Sequence, residues 1–202
     1  MKIYVCGDSF MSRDPDHPGE HFSELMSSKF DIVNLAQGGV GNIDICFQIK
    51  SAIDNRAEYV IIGKTDSGRT EMLYPIGQAI PGIISIEHFR AGPDQRFLSR
   101  TLSTLMGENQ DITHNLTKEQ QKAAQLYFKY MFDITLKWNI DFWAIGYWLM
   151  KLRENNIKYF VIPDFFCIYD YAVQYPHSPR LFHTDLATQQ QAAELLTKEI
   201  TP

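Results

Sequence analysis

Three short runs rich in apolar residues, 2–6 (KIYVC), 31–36 (DIVNLA) and 59–63 (YVIIG), each lead straight into a loop containing or abutting glycine. Each is too short for an ordinary helix and carries β-forming residues, so each reads as a strand. The third is almost wholly apolar, as expected of a strand covered on both faces. Between the runs lie two segments with helical spacing. PGEHFSELMSSKF, residues 18–30, brings Phe22, Leu25 and Met26 together after a Pro-Gly start, and NIDICFQIKSAIDN, residues 42–55, places Ile43, Cys46, Phe47 and Ile53 on one face. The order β, α, β, α, β predicts a parallel sheet with right-handed crossovers and helices on both sides, a three-layer α/β/α, flavodoxin-like fold. At 202 residues the chain is expected to be a single domain, 1–202.

After the third strand the pattern dissolves from residue 67 to residue 116, which marks an insertion suited to a lid or binding loop. TKEQ at 117–120 is a capping box that opens a helical region reaching residue 155. That length predicts two helices with a break near 137–141. Their aromatic residues (Tyr127, Phe128, Tyr130, Phe132, Trp138, Phe142, Trp143, Tyr147, Trp148) suit a core or a subunit interface, the latter giving a homo-oligomer. IKYFVIP at 157–163 reads as a fourth strand and LATQQQAAELLTKEI at 186–200 as a closing amphipathic helix.

Charge narrows the partners. A formal net charge of −5 and no basic cluster argue against nucleic acid, whose phosphates need concentrated Lys and Arg. Cys6, Cys46 and Cys167 stand far apart in apolar surroundings and predict buried free thiols in a reducing compartment, with no disulfide or zinc site. The first apolar run stops too soon for an export signal. The most apolar later stretch, 140–150, falls short of the roughly 20 residues that span a bilayer, so a core helix, no membrane partner and a cytoplasmic location are expected.

In open parallel sheets ligands bind beyond the carboxyl ends of the strands. That rule selects Gly7-Asp8-Ser9, Gly38-Gly39-Val40-Gly41-Asn42, Gly63-Lys64-Thr65-Asp66 and the loop carrying His183. A serine becomes a nucleophile when a histidine takes its proton and N–H groups stabilise the oxyanion, and these loops hold all three kinds of group.

The strings VCGDSF, NLAQGGVGN, IIGKTD and FHTDLATQQQAAELL, in that order, resemble the four sequence blocks of the SGNH or GDSL hydrolases. The likeness covers roughly residues 1–66 and 157–200. It implies that Ser9 is the nucleophile and its N–H an oxyanion donor, that Gly39 or Gly41 gives a second donor, and that His183 is the general base. The implied substrate is a small acyl ester, with an O-acetyl carbohydrate as one form, and no cofactor or metal is implied. GKTDSGRTE also resembles a variant third block of divergent SGNH-like proteins, viral ones among them. Arg69 then suits an anionic or sugar-bearing substrate, or else pairs with Glu71 or Asp66 at the surface.

Two positions depart from the family pattern. The third block has Asn as an oxyanion donor where this chain has Thr65, so either the Thr65 hydroxyl or Asn42 from the neighbouring loop takes that role. Losing one such donor costs about 10²–10³ in rate in proteases. Three residues before His183 stands Arg180 where the family has an acid, and disabling that acid costs about 10⁴ in a protease. Either Asp185, Asp170 or Asp164 replaces it, or a backbone carbonyl near Arg180 holds the ring in a Ser–His dyad, the dyad being preferred to Asp185.

Other motifs have plainer readings. Asp8 suits a hydrogen bond within its own loop and Asp66 an anchor beneath the site. GGVGN lacks the third glycine of a dinucleotide fingerprint, since Asp44 stands there. DPDHPGEH at 14–21 could gather metal ligands, but Pro18 and Gly19 keep His17 and His21 off a shared helical face. A binding module that kept the fold and lost the chemistry is the alternative to an enzyme.

Overall fold

The computed structural model describes residues 1–8, 10–37, 40–65, 67, 70–72, 98–100, 122, 126, 130–162 and 185–201. In chain order the elements are β1 (Lys2–Cys6), α1 (Phe22–Met26), β2 (Asp31–Asn34), α2 (Asn42–Asp54), β3 (Tyr59–Ile62), β4 (Thr70–Met72), β5 (Leu98–Arg100), α3 (Ile134–Glu154), β6 (Lys158–Val161) and α4 (Leu186–Ile200). Four strands form one sheet in the order β2-β1-β3-β6, every pair parallel. Ile3 stands opposite Ile32 on one side and Tyr59 on the other, and Tyr59 stands opposite Lys158.

Side chains alternate across this sheet, as a period of two requires. Tyr4 and Cys6 of β1 and Val60 and Ile62 of β3 face Ile45, Cys46 and Ile49 of α2 and Ile145 and Leu152 of α3. Ile3, Val5, Tyr59 and Ile61 face Phe22 and Met26 of α1 and Ala193, Leu196 and Ile200 of α4. The three-layer α/β/α reading therefore holds. Each fully buried Ile or Val contributes about 1.5–3 kcal/mol relative to exposure, and β3 is buried at every position. Burial also pushes the Cys6 thiol far above its ordinary range, which removes it as a nucleophile at neutral pH.

Several boundaries differ from expectation. The segment 18–30 makes only five helical residues, because Ser27 and Ser28 turn their hydroxyls back onto the carbonyls of Glu24 and Leu25. The break expected at 137–141 is absent. The chain instead leaves helical geometry at 131–133, where Asp133 caps α3 by accepting from the N–H groups of Thr135 and Leu136 at 2.8 and 3.0 Å. Lys137 and Asp141 lie one turn apart inside α3 and pair with each other.

Nor are the aromatic residues of α3 all core. Trp138, Phe142, Trp143 and Tyr147 are exposed, Trp143 by 66%, while Trp148 packs against the α2 side of the core. The helix meets α2 along Asp141, Ile145 and Leu152, a single stripe. No helix among the described residues is long and apolar enough to cross a membrane. β4 and β5 form a separate antiparallel pair, Thr70 opposite Arg100, within the stretch read as an insertion. The rest of that stretch, the TKEQ box and Cys167 lie outside the described residues.

Gly7 and Gly63 end β1 and β3 side by side, joined by Gly63 N–H donating to Cys6 O at 2.9 Å. The buried Met11 side chain lies across both. A Cβ on Gly7 would stand 2.6 Å from Met11 Cβ and 3.1 Å from Gly63 O, so neither neighbour can yield cheaply. Gly7→Ala is expected to lower stability by about 1–3 kcal/mol in urea unfolding. Gly146→Ala on α3, where a Cβ meets nothing within 4 Å, should raise it by about 0.5–1 kcal/mol.

Candidate functional site

The strand order places a topological switch point between β1 and β3, since the chain leaves β1 toward β2 on one side and extends from β3 toward β6 on the other. The GDS loop and the GKT loop both start there. Beside them, at the end of β2, the glycine loop runs into Gly41, the N-cap of α2.

The loop after β1 is tied at Gly7, Asp8, Phe10, Met11 and Ser12. Gly7 exchanges two hydrogen bonds with the side chain of Gln48 on α2, its N–H donating to Oε1 at 2.6 Å and its carbonyl accepting from Nε2 at 3.1 Å. Asp8, with 0% exposure, turns the chain: Oδ1 accepts from Phe10 N–H at 3.1 Å, and its carbonyl accepts from Met11 and Ser12 N–H at 3.1 and 3.0 Å. This is the local hydrogen-bonding role expected of Asp8. On the far side, Asn34 Nδ2 donates to Met11 O at 2.8 Å, and buried His21 places Nε2 3.3 Å from Phe10 O.

Thr65 and Asn42 join this loop to its neighbours. The Thr65 hydroxyl donates to Asp8 Oδ2 at 2.7 Å. Asn42 Oδ1 accepts from Thr65 N–H at 3.0 Å, while Nδ2 donates to Thr65 O at 2.8 Å and to Asp141 Oδ2 at 3.0 Å. These partners fix which end of the Asn42 amide is oxygen. Gly41 N–H donates to Asp44 Oδ2 at 3.2 Å. Thus the three described groups considered as oxyanion donors, at Gly41, Asn42 and Thr65, direct their hydrogens to protein acceptors.

Asp185 is the N-cap of α4, and its Oδ1 accepts from Thr188 N–H at 2.9 Å. Ser9, Gly39, Asp66, Arg69 and His183 lie outside the described residues, as do Arg180, Asp164 and Asp170. His17 and His21 have separate roles: His17 Nδ1 pairs with Asp14 Oδ2 at 2.9 Å, and His21 caps α1, its own N–H donating to Glu24 Oε2.

Sequence reasoning missed Gln48, Asn34, His21, Lys137 and Asp141 as supports of the site. Gln48 and Asp141 had a usable signal, a polar residue on the buried stripe of an amphipathic helix, which must find partners when buried. Asn34 and His21 had none.

A carboxylate with no solvent depends on its donors, so removing one is costly. Thr65→Val keeps the shape and deletes the donor to Asp8, and is expected to lower stability by about 1–3 kcal/mol. Thr65→Ser should stay close to wild type, both read from urea unfolding.

Neither a family model nor a curated protein matches the chain. Among solved structures, it is similar to one described as a candidate lipolytic protein of the G-D-S-L family from Desulfitobacterium hafniense DCB-2, at 14% identity over 79% of this chain and 76% of that one, with a TM-score of 0.30. Likeness at that level carries no argument for a site or a substrate. The parallel sheet and its order stand on the strand pairings themselves.

Proposed function

We propose that the protein is a serine ester hydrolase of SGNH type, with Ser9 as nucleophile and His183 as general base. The observation that supports this most is the turn made by buried Asp8 at the β1/β3 switch point, whose hydrogen bonds bracket position 9. Such a turn lies at the carboxyl edge of the sheet, where parallel sheets bind their ligands.

In this mechanism His183 takes the Ser9 proton as Oγ attacks the acyl carbonyl, giving a tetrahedral oxyanion. Because Gly41, Asn42 and Thr65 donate to protein acceptors, the oxyanion donors are assigned to the N–H groups of Ser9 and Gly39. Thr65 and Asn42 act as braces. His183 then protonates the leaving alcohol, activates a water against the acyl-Ser9 ester, and returns the proton to Ser9 as the carboxylate departs. With Arg180 in place of the acid, a Ser–His dyad is the proposed arrangement, and Asp185, whose Oδ1 caps α4, is the alternative orienting acid. The substrate class is a small acyl ester, an acetylated carbohydrate being one member, and Arg69 is the residue assigned to an anionic or sugar portion.

A second reading, a binding module without chemistry, is favoured by one observation: the Thr65 hydroxyl points to Asp8. Intact mass after treatment with a fluorophosphonate separates the two. The hydrolase should take one adduct, absent in Ser9→Ala and slowed by on the order of 10³ or more in His183→Ala. A folded wild type that takes no adduct would favour the binding module.

A further inference from the structure

Asp141 is only 3% exposed, on a helix whose surface is largely open to solvent. Burying a carboxylate costs several kcal/mol unless charge and hydrogen bonds compensate, and a hydrophobic pair in the same place is often no less stable. Its two oxygens have different partners: Oδ1 takes the ammonium of Lys137, one turn earlier, and Oδ2 takes Asn42 Nδ2. The second contact selects an orientation. With Nδ2 drawn to Asp141, the Asn42 carbonyl oxygen must face the other way, where it meets Thr65 N–H. Thr65, held at its N–H and carbonyl, presents its hydroxyl to Asp8 Oδ2, and Asp8 Oδ1 receives Phe10 N–H. A reversed amide would set Nδ2 against a donor N–H and its carbonyl oxygen against both the Thr65 carbonyl and the Asp141 carboxylate, three repulsive contacts.

We propose that the Lys137–Asp141 pair on α3 is a positioning device for the turn around position 9, acting through the orientation of the Asn42 amide and then through Thr65 and Asp8. Its value for catalysis rests on the hydrolase reading, but the mechanical coupling does not. Asp141 touches neither substrate nor reacting atoms in this scheme. It decides whether Asp8 keeps its partner from the β3 loop.

The test is residue-resolved amide hydrogen exchange on the full chain, comparing wild type, Asp141→Asn and Leu152→Ala. Leu152 is fully buried on the same helix and outside the polar chain, so its truncation weakens α3 packing alone. In Asp141→Asn the charge that holds Asn42 Nδ2 is gone and an amide NH2 faces the Lys137 ammonium, so exchange at Thr65 and Phe10 should accelerate about tenfold or more, the scale of a hydrogen bond to a charged group, while Val5 and Ile61 in the core change little. Leu152→Ala should shift all four together. Thr65 and Phe10 exchanging at wild-type rates in Asp141→Asn, or only in step with Val5 and Ile61, would overturn the proposal. If Asp141→Asn does not fold, the paired replacement Lys137→Met with Asp141→Leu removes the charges together, and the same selective acceleration is required of it. Fluorophosphonate labelling gives the chemical readout: about tenfold slower in Asp141→Asn, unchanged in Leu152→Ala well below its melting temperature. A wild type that takes no adduct overturns the hydrolase reading, and the exchange result then decides the coupling by itself.

Discussion

A carboxylate shut away from water must be met by donors, and Asp8 is the point at which this requirement organises the protein. One oxygen closes its own turn through Phe10 N–H and the other reaches the Thr65 hydroxyl beyond β3. A single side chain thereby both shapes the loop after β1 and fastens it to the loop after the adjacent strand. The glycines at the two strand ends and the Met11 side chain lying over them bring those loops close enough for the bond to form.

The layers follow from strand periodicity, which is why they were legible. β1 and β3 alternate between two apolar faces, and α4 covers the residues 186–200 expected from its pattern. α1 was overestimated because Ser27 and Ser28 look like ordinary surface residues until their hydroxyls are seen competing for helix carbonyls. The start of α3 is encoded in Asp133 alone, while the polar residues at 137 and 141 imitate an interruption. They are one turn apart and support the helix.

The site was legible in kind more than in connection. Asp8, Asn42 and Thr65 stood out as loop residues at the carboxyl edge of the sheet. Nothing local says that Asn42 and Thr65, 23 residues apart, exchange hydrogen bonds, or that Asn42 also meets a residue 99 positions on. Pairings of that kind depend on how α2 and α3 lie against each other, and their apolar stripes specify a face without specifying a height along it. Amide orientation is a further step removed, since it is decided by the donors and acceptors that arrive around it.

The sequence separations within the polar chain imply an order of assembly. Asp8 lies in the loop after β1, its partner Thr65 comes 57 residues later, and Asn42 waits for Asp141 across 99. Contacts that close such long stretches form late, because the entropy of closure is spent before they contribute. The turn after β1 is therefore complete only once α3 has brought Asp141 to Asn42, whereas the pairing of β1 with β3 does not wait for that contact. A chain that stalls before α3 docks would already hold the pairings of β1 with β2 and β3 and still lack the Asp141 contact to Asn42.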